Sequence, residues 1–153
     1  MIEAHCFVNS NHLQYFDFER CAVRWVSNYG FKGCPNMQYT GSLGNNLMGL
    51  SSFAFNQSFT ANAPVAFRIP SSVTEVGNNG FSNMFLPAGS SLEIGTEEVP
   101  SNLRLAEGFS NQFNMNTERK YTHVIFYSAL YEEGDSLVYN KLASATNGDI
   151  TIY

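Results

Sequence analysis

Apolar residues in this chain keep fixed distances from a set of phenylalanines. Phe81 has Val76 five residues before it and Val73 eight before it. Phe55 has Leu50 and Leu47 at the same offsets, Phe31 has Val26 and Val23, and Phe7 has Ile2 at the offset of five. A fifth unit, Val99–Phe109, opens like the Ile69–Phe81 unit but reaches its ring two residues early, with Leu103 and Leu105 as candidates for the two apolar slots. Phe7, Phe31, Phe55, Phe81 and Phe109 are separated by 24, 24, 26 and 28 residues, a period in the range of leucine-rich repeats. A small residue precedes each ring: Cys6, Gly30, Ala54, Gly80 and Gly108. A large ring enters a core beside a tight turn only when its neighbour does not crowd that turn.

Between the phenylalanines lie short runs of β-prone residues: Leu13–Phe18, Met37–Thr40, Val65–Ile69, Ser91–Ile94 and Thr122–Tyr127. Val65–Ile69 alternates with period two, as a strand buried on one face does. The intervening pieces, rich in Gly, Asn and Ser, predict turns and short 3₁₀ segments on the side opposite the strands. One strand and one turn cannot bury an apolar face alone, but stacked units share a continuous core. The pattern therefore predicts a leucine-rich-repeat solenoid of about five repeats over residues 1–121. Its short strands are parallel, and Phe7, Phe31, Phe55, Phe81 and Phe109 form a structural spine. Residues 122–153 are expected to hold the last strand and a C-terminal β cap or assembly segment. In that segment Thr122–Tyr131, the turn Glu132–Asp135 and Ser136–Tyr139 read as a β-hairpin, with Ile150–Tyr153 as a further strand. The first unit has no cap, so the sequence predicts either a start within a longer array or an open end docked on another chain. Oligomers, of like or unlike chains, are expected through that end or through the C-terminal strands.

Composition sharpens this picture. Hydrophobic residues are 44% and charged residues 14%, against about 25% charged in an average globular protein, so the surface is built mostly from Asn, Ser, Thr and Gly. The spine gives the 13 phenylalanines a structural reason. Net charge is −5, and the eight Lys and Arg residues never cluster beyond Arg119-Lys120. That excludes nucleic acid and an anionic membrane surface as expected partners, because both need concentrated positive charge. No run approaches the roughly 20 apolar residues of a membrane span, so no membrane insertion is expected. Met1–His5 lacks the basic and apolar regions of a signal peptide. The chain thus fits cytoplasmic synthesis, or a piece of a larger protein exported to the cell surface. Cys6, Cys21 and Cys34 cannot all pair within the chain and are expected as buried thiols.

Chemistry is sparse. His5, His12 and His123 lack zinc-ligand spacing. Glu93, Glu97, Glu98, Glu132, Glu133 and Asp135 lack calcium-ligand spacing and read as a solvated acidic rim. Gly41–Gly44 and Gly77–Gly80 lack the Lys of a phosphate loop. No catalytic residue, metal ligand or cofactor is expected. The outward sheet face is the candidate binding surface, with Gln14, Gln38, Ala66, Arg68, Glu93 and His123 as its residues.

Ile69-Pro70-Ser71-Ser72-Val73-x-x-Val76-Gly77-x-x-Gly80-Phe81 resembles the BspA-like leucine-rich repeat, as does Gly30-Phe31-Lys32-Gly33-Cys34-Pro35-Asn36-Met37. The resemblance covers about residues 2–127. It implies a right-handed solenoid with a parallel sheet on one face, and a non-enzymatic adhesion role towards proteins or glycans. Members are surface or secreted proteins of gut and oral bacteria and some protozoa, or parts of phage proteins. The family has no shared catalytic residues to carry over. This chain departs in lacking a signal peptide and in having a single Cys, Cys34, where family copies often carry one. Low charge, Asn and Gly richness and the uncapped first unit also fit a structural protein of a phage or other virion, which is the alternative.

Overall fold

Val26, Leu50 and Val76, five residues before Phe31, Phe55 and Phe81, lie on the shortest strands of the fold. The computed structural model describes residues 1–105 and 108–153. Strands β1 (Trp25–Val26), β2 (Gly49–Leu50) and, later in the chain, β4 (Glu75–Val76) pair in parallel as a first sheet. Ile2 extends it by a single bridge to Val26. Strands β3 (Ala66–Ile69), β5 (Ser91–Ile94), β6 (Tyr121–Phe126) and β7 (Thr146–Ile152) form a second parallel sheet in that order. The whole is a β-solenoid of about five turns with few helices and a C-terminal strand. Alternation sets the faces of the second sheet: Phe67, Ile69, Leu92, Ile94, Val124 and Phe126 point into the core.

The spine forms between the two sheets. Phe7 stacks on Phe31 at 4.9 Å, Phe31 on Phe55 at 5.4 Å and Phe55 on Phe81 at 5.5 Å between ring centroids. The backbone repeats with them. The Phe7, Phe31 and Phe55 amides donate to the carbonyls of Gly30, Ala54 and Gly80 in the following turn, each at 2.8 Å. Two residues before each ring the chain turns through the left-handed region, at His5 (φ 60°), Tyr29 (φ 59°), Phe53 (φ 59°) and Asn79 (φ 55°). That conformation is strained for His, Tyr and Phe. Each residue is held there by a hydrogen bond from its backbone N–H to a carbonyl in the next turn, and His5, Tyr29 and Phe53 stack as a second, outer column.

The fifth spine member is Phe113, not Phe109. Phe113 is buried and stacks on Phe81 at 6.0 Å and 15°. The Phe81 amide donates to Gln112 O at 2.9 Å, as its predecessors do to the residue before the next ring. Phe109 is only half-buried. The fifth turn is longer, and the small residue before its ring is replaced by Gln112, whose buried side chain donates to Val76 O at 2.6 Å. Leu103 does take the earlier apolar slot: the Arg104 amide donates to Thr74 O, as Thr74 does to Met48 O. Leu105 is also buried. Ala106 and Glu107, which the sequence reading places before the fifth ring, lie outside the described residues.

Two expected strands and the hairpin are corrected as well. Met37–Thr40 contributes only a bridge, Gln38 to Thr60, which continues from Thr60 to Phe85. Leu13–Phe18 forms no strand. The Asp17 carboxylate accepts from the Arg20 amide in a turn, and Phe16 and Phe18 pack against Phe31. The one 3₁₀ segment among the described residues is Thr117–Arg119. In place of the hairpin's second strand stands helix α1 (Ser136–Ala143). Asp135 caps its first turn by accepting from the Leu137 amide at 3.0 Å, and Val138 and Leu142, four apart, are buried. A parallel pair needs a crossover where an antiparallel pair needs only a turn, and α1 supplies it between β6 and β7. The helix also lies over the end of the spine turn: Lys141 Nζ donates to Phe109 O and Ser144 Oγ to Asn114 Oδ1. One hydrophobic core runs from Phe18 to Ala145.

Candidate functional site

Because β3, β5, β6 and β7 alternate, every second residue stands on the outer face of the second sheet. Register aligns Arg68, Glu93, Ile125 and Thr151 in one row, and pairs His123 with Asp149 two residues earlier. Arg68, Glu93 and His123 of the expected face are thereby brought onto one surface, with Ala66 beside Ser91 at its margin. Arg68 Nε donates to Glu93 Oε2 at 3.0 Å. With the Arg68 side chain 62% exposed, this pair contributes at most about 1 kcal/mol to stability. His123 Nε2 shares a 3.1 Å hydrogen bond with Thr151 Oγ1. Gln14 and Gln38 are not on this face. They neighbour each other in a separate ladder, where the Gln38 amide donates to Gln14 O at 2.7 Å. On the open side of β3 the Tyr39 hydroxyl accepts from the Arg68 amide at 2.9 Å; burial raises its pKa.

At the far edge of this face Tyr127 and Tyr153 stack at 5.0 Å. With Glu97, Pro100 and Ser128 they line a cavity of about 380 Å³. Partial burial, then Tyr153 and the carboxylates of Glu97, Glu93 and Glu98, push the Tyr127 hydroxyl above its ordinary pKa.

The first sheet has an outer face too, which the sequence reading missed. The six-membered ring of Trp25 covers Gly49 in the next turn: a Cβ there would lie 2.4 Å from Trp25 Cζ3. The indole Nε1 donates to Ser51 Oγ at 3.1 Å. Glu75 follows Gly49 in the register. Beyond it a cavity of about 480 Å³ is lined by Thr74, Glu75, Asn102, Arg104, Phe109 and Leu130. The available signal was the chain's single tryptophan, with glycine at the equivalent place one turn later.

The thiols differ from expectation. Cys34 is buried and its Sγ–H donates to Phe7 O at 3.0 Å, with burial raising its pKa, but Cys6 and Cys21 are exposed. Both exposed cysteines sit in turns. Among the described residues no group of three or more His, Cys, Asp or Glu side chains is placed to hold a metal ion, and no helix is long and apolar enough to cross a membrane. No family model matches the chain, nor does any curated protein or solved structure.

Proposed function

We propose that this chain is a non-enzymatic binding module of the adhesion type, built on the plan of the BspA-like leucine-rich repeats, that recognises a protein or glycan through the outer face of its second sheet. The observation that supports it is the gathering of Arg68, Glu93 and His123 on one hydrogen-bonded ladder. Inward positions are consumed by packing, so chemistry that differs from turn to turn stands outside, where solenoids bind. Strand-borne side chains are also held more rigidly than loop residues, which lowers the ordering cost of binding.

The test is an array printed with glycans and extracellular-matrix proteins, probed with the purified chain. Wild type binds at least one class of spot, and Arg68→Ala/Glu93→Ala weakens that binding roughly tenfold or more, as loss of charged hydrogen-bonding groups does. Its stability stays within about 1 kcal/mol of wild type, because the pair is exposed. A silent wild type, or an undiminished double variant, contradicts the reading.

A second reading is a structural protein of a phage or other virion, docked through its first turn. It is favoured by the half-buried Ile2, Phe7, Leu13 and Phe16 at that end and by Tyr15, 68% exposed beside them. Light scattering after size exclusion separates the two: a defined multimer supports docking and a monomer supports the module.

A further inference from the structure

We infer that the outer face of the first sheet is a glycan subsite that seats one pyranose ring on Trp25 and hydrogen-bonds its hydroxyls to Glu75, Asn102 and Arg104. The inference rests on the binding-module reading and places a saccharide contact on a face separate from the Arg68–Glu93 ladder.

Four observations carry it. First, the indole is half-buried with its six-membered ring against Gly49, so the turn-by-turn pattern gives up a side chain at that place to make room for the ring. Its N–H is already satisfied by Ser51, which fixes the ring's orientation. A tryptophan used only to fill space would stand inside with the buried phenylalanines; this one lies on the outer side of β1, partly open to solvent. Second, an indole face is electron-rich, and the C–H groups along one face of a pyranose carry partial positive charge. The two surfaces attract in the manner of a weak cation–π contact.

Third, the adjoining cavity, at about 480 Å³, is the size of a small-ligand site. It presents a carboxylate that accepts, a guanidinium that donates and an amide that does both. Among the described residues the side chains of Glu75, Asn102 and Arg104 make no hydrogen bond or ion pair with one another or with the rest of the chain. Fourth, the two charges are opposite in sign. An ionic ligand would meet one of them as a like charge, whereas a neutral polyol donates to Glu75 and accepts from Arg104 through neighbouring hydroxyls. Aromatic face, planar polar groups and balanced charge together select a neutral saccharide over a phosphate, a nucleotide or a basic peptide.

Because the chain has one tryptophan, its own emission reports the site. The full chain is titrated with cellohexaose, maltohexaose, chitohexaose and mannohexaose while the Trp25 fluorescence is followed, with calorimetry alongside. At least one oligosaccharide produces a saturable change in emission. By calorimetry Trp25→Ala abolishes that binding, and Glu75→Gln and Arg104→Ala each weaken it roughly tenfold or more. Glu133→Gln, at an exposed position outside both sheet faces, leaves it unchanged. The subsite is overturned if none of the four shifts the emission, or if Trp25→Ala binds like wild type. If the chain then still captures array spots through Arg68 and Glu93, only the subsite falls; if it is silent in both assays, the binding-module reading falls with it.

Discussion

Phe81→Ala is expected to destabilise the protein by roughly 3–5 kcal/mol and to remove its single cooperative melt. The ring is 1% exposed and touches three others: Phe55 at 5.5 Å, Phe113 at 6.0 Å and Phe67, edge-on, at 5.7 Å. Truncation leaves a void between turns that Phe55, already stacked on Phe31, and Phe67, held in β3, cannot fill. A domain of this size has a total stability of about 5–15 kcal/mol, so the loss is a large part of the whole. The position matters as much as the amount. In a solenoid each turn is stabilised by its neighbours, and Phe81 joins the first three turns to the region carrying β5 to β7. Its removal should split one transition into two. Phe55→Ala behaves likewise one turn earlier. Thermal melts followed by far-ultraviolet and near-ultraviolet dichroism check this, and a wild-type-like melt of both variants refutes the spine.

The second large effect separates two phenylalanines that sequence spacing confuses. Phe113→Ala should cost roughly 3–5 kcal/mol, since it empties the last place in the stack. Phe109→Ala should cost about 1 kcal/mol or less, because that ring is half-buried at the margin of a surface cavity. Urea unfolding of the two variants measures the difference. Equal losses, or a greater loss at Phe109, would contradict the assignment of the fifth turn.

Why the sequence misplaced that ring has a physical answer. In the first four turns a small residue precedes the phenylalanine, because the site is crowded: a Cβ on Gly80 would lie 2.6 Å from Leu50 Cδ1 and 2.7 Å from Val76 Cγ1. In the fifth turn that place is filled by Gln112, which reaches Val76 O by a hydrogen bond. Packing was replaced by polar satisfaction, and a rule based on size points instead to Gly108-Phe109. The repeat, the parallel strands β3, β5 and β6 and the slots of Val73 and Val76 followed from inward-facing residues, which must obey one geometry. Helix α1 was misread because Ser136–Tyr139 is too short a window to separate periods of 2 and 3.6, and the buried partner Leu142 lies beyond it. On the outside, Arg68, Glu93 and His123 came together because strand alternation fixes them once register is set. Gln14 and Gln38 did not, since their segments are held by turns and a lone bridge. Trp25 went unnoticed because the offsets from the phenylalanines single out inward positions alone; the contact across turns with Gly49 reveals its place.

Amides recurring every 24 to 26 residues are locked between successive turns by the phenylalanine stack. Amide hydrogen exchange resolved by residue tests it most directly. The Phe31, Phe55 and Phe81 amides should be among the slowest in the protein and should exchange together, through global unfolding. Fast exchange at these three positions, or three unrelated opening free energies among them, would contradict a stack that locks the turns together.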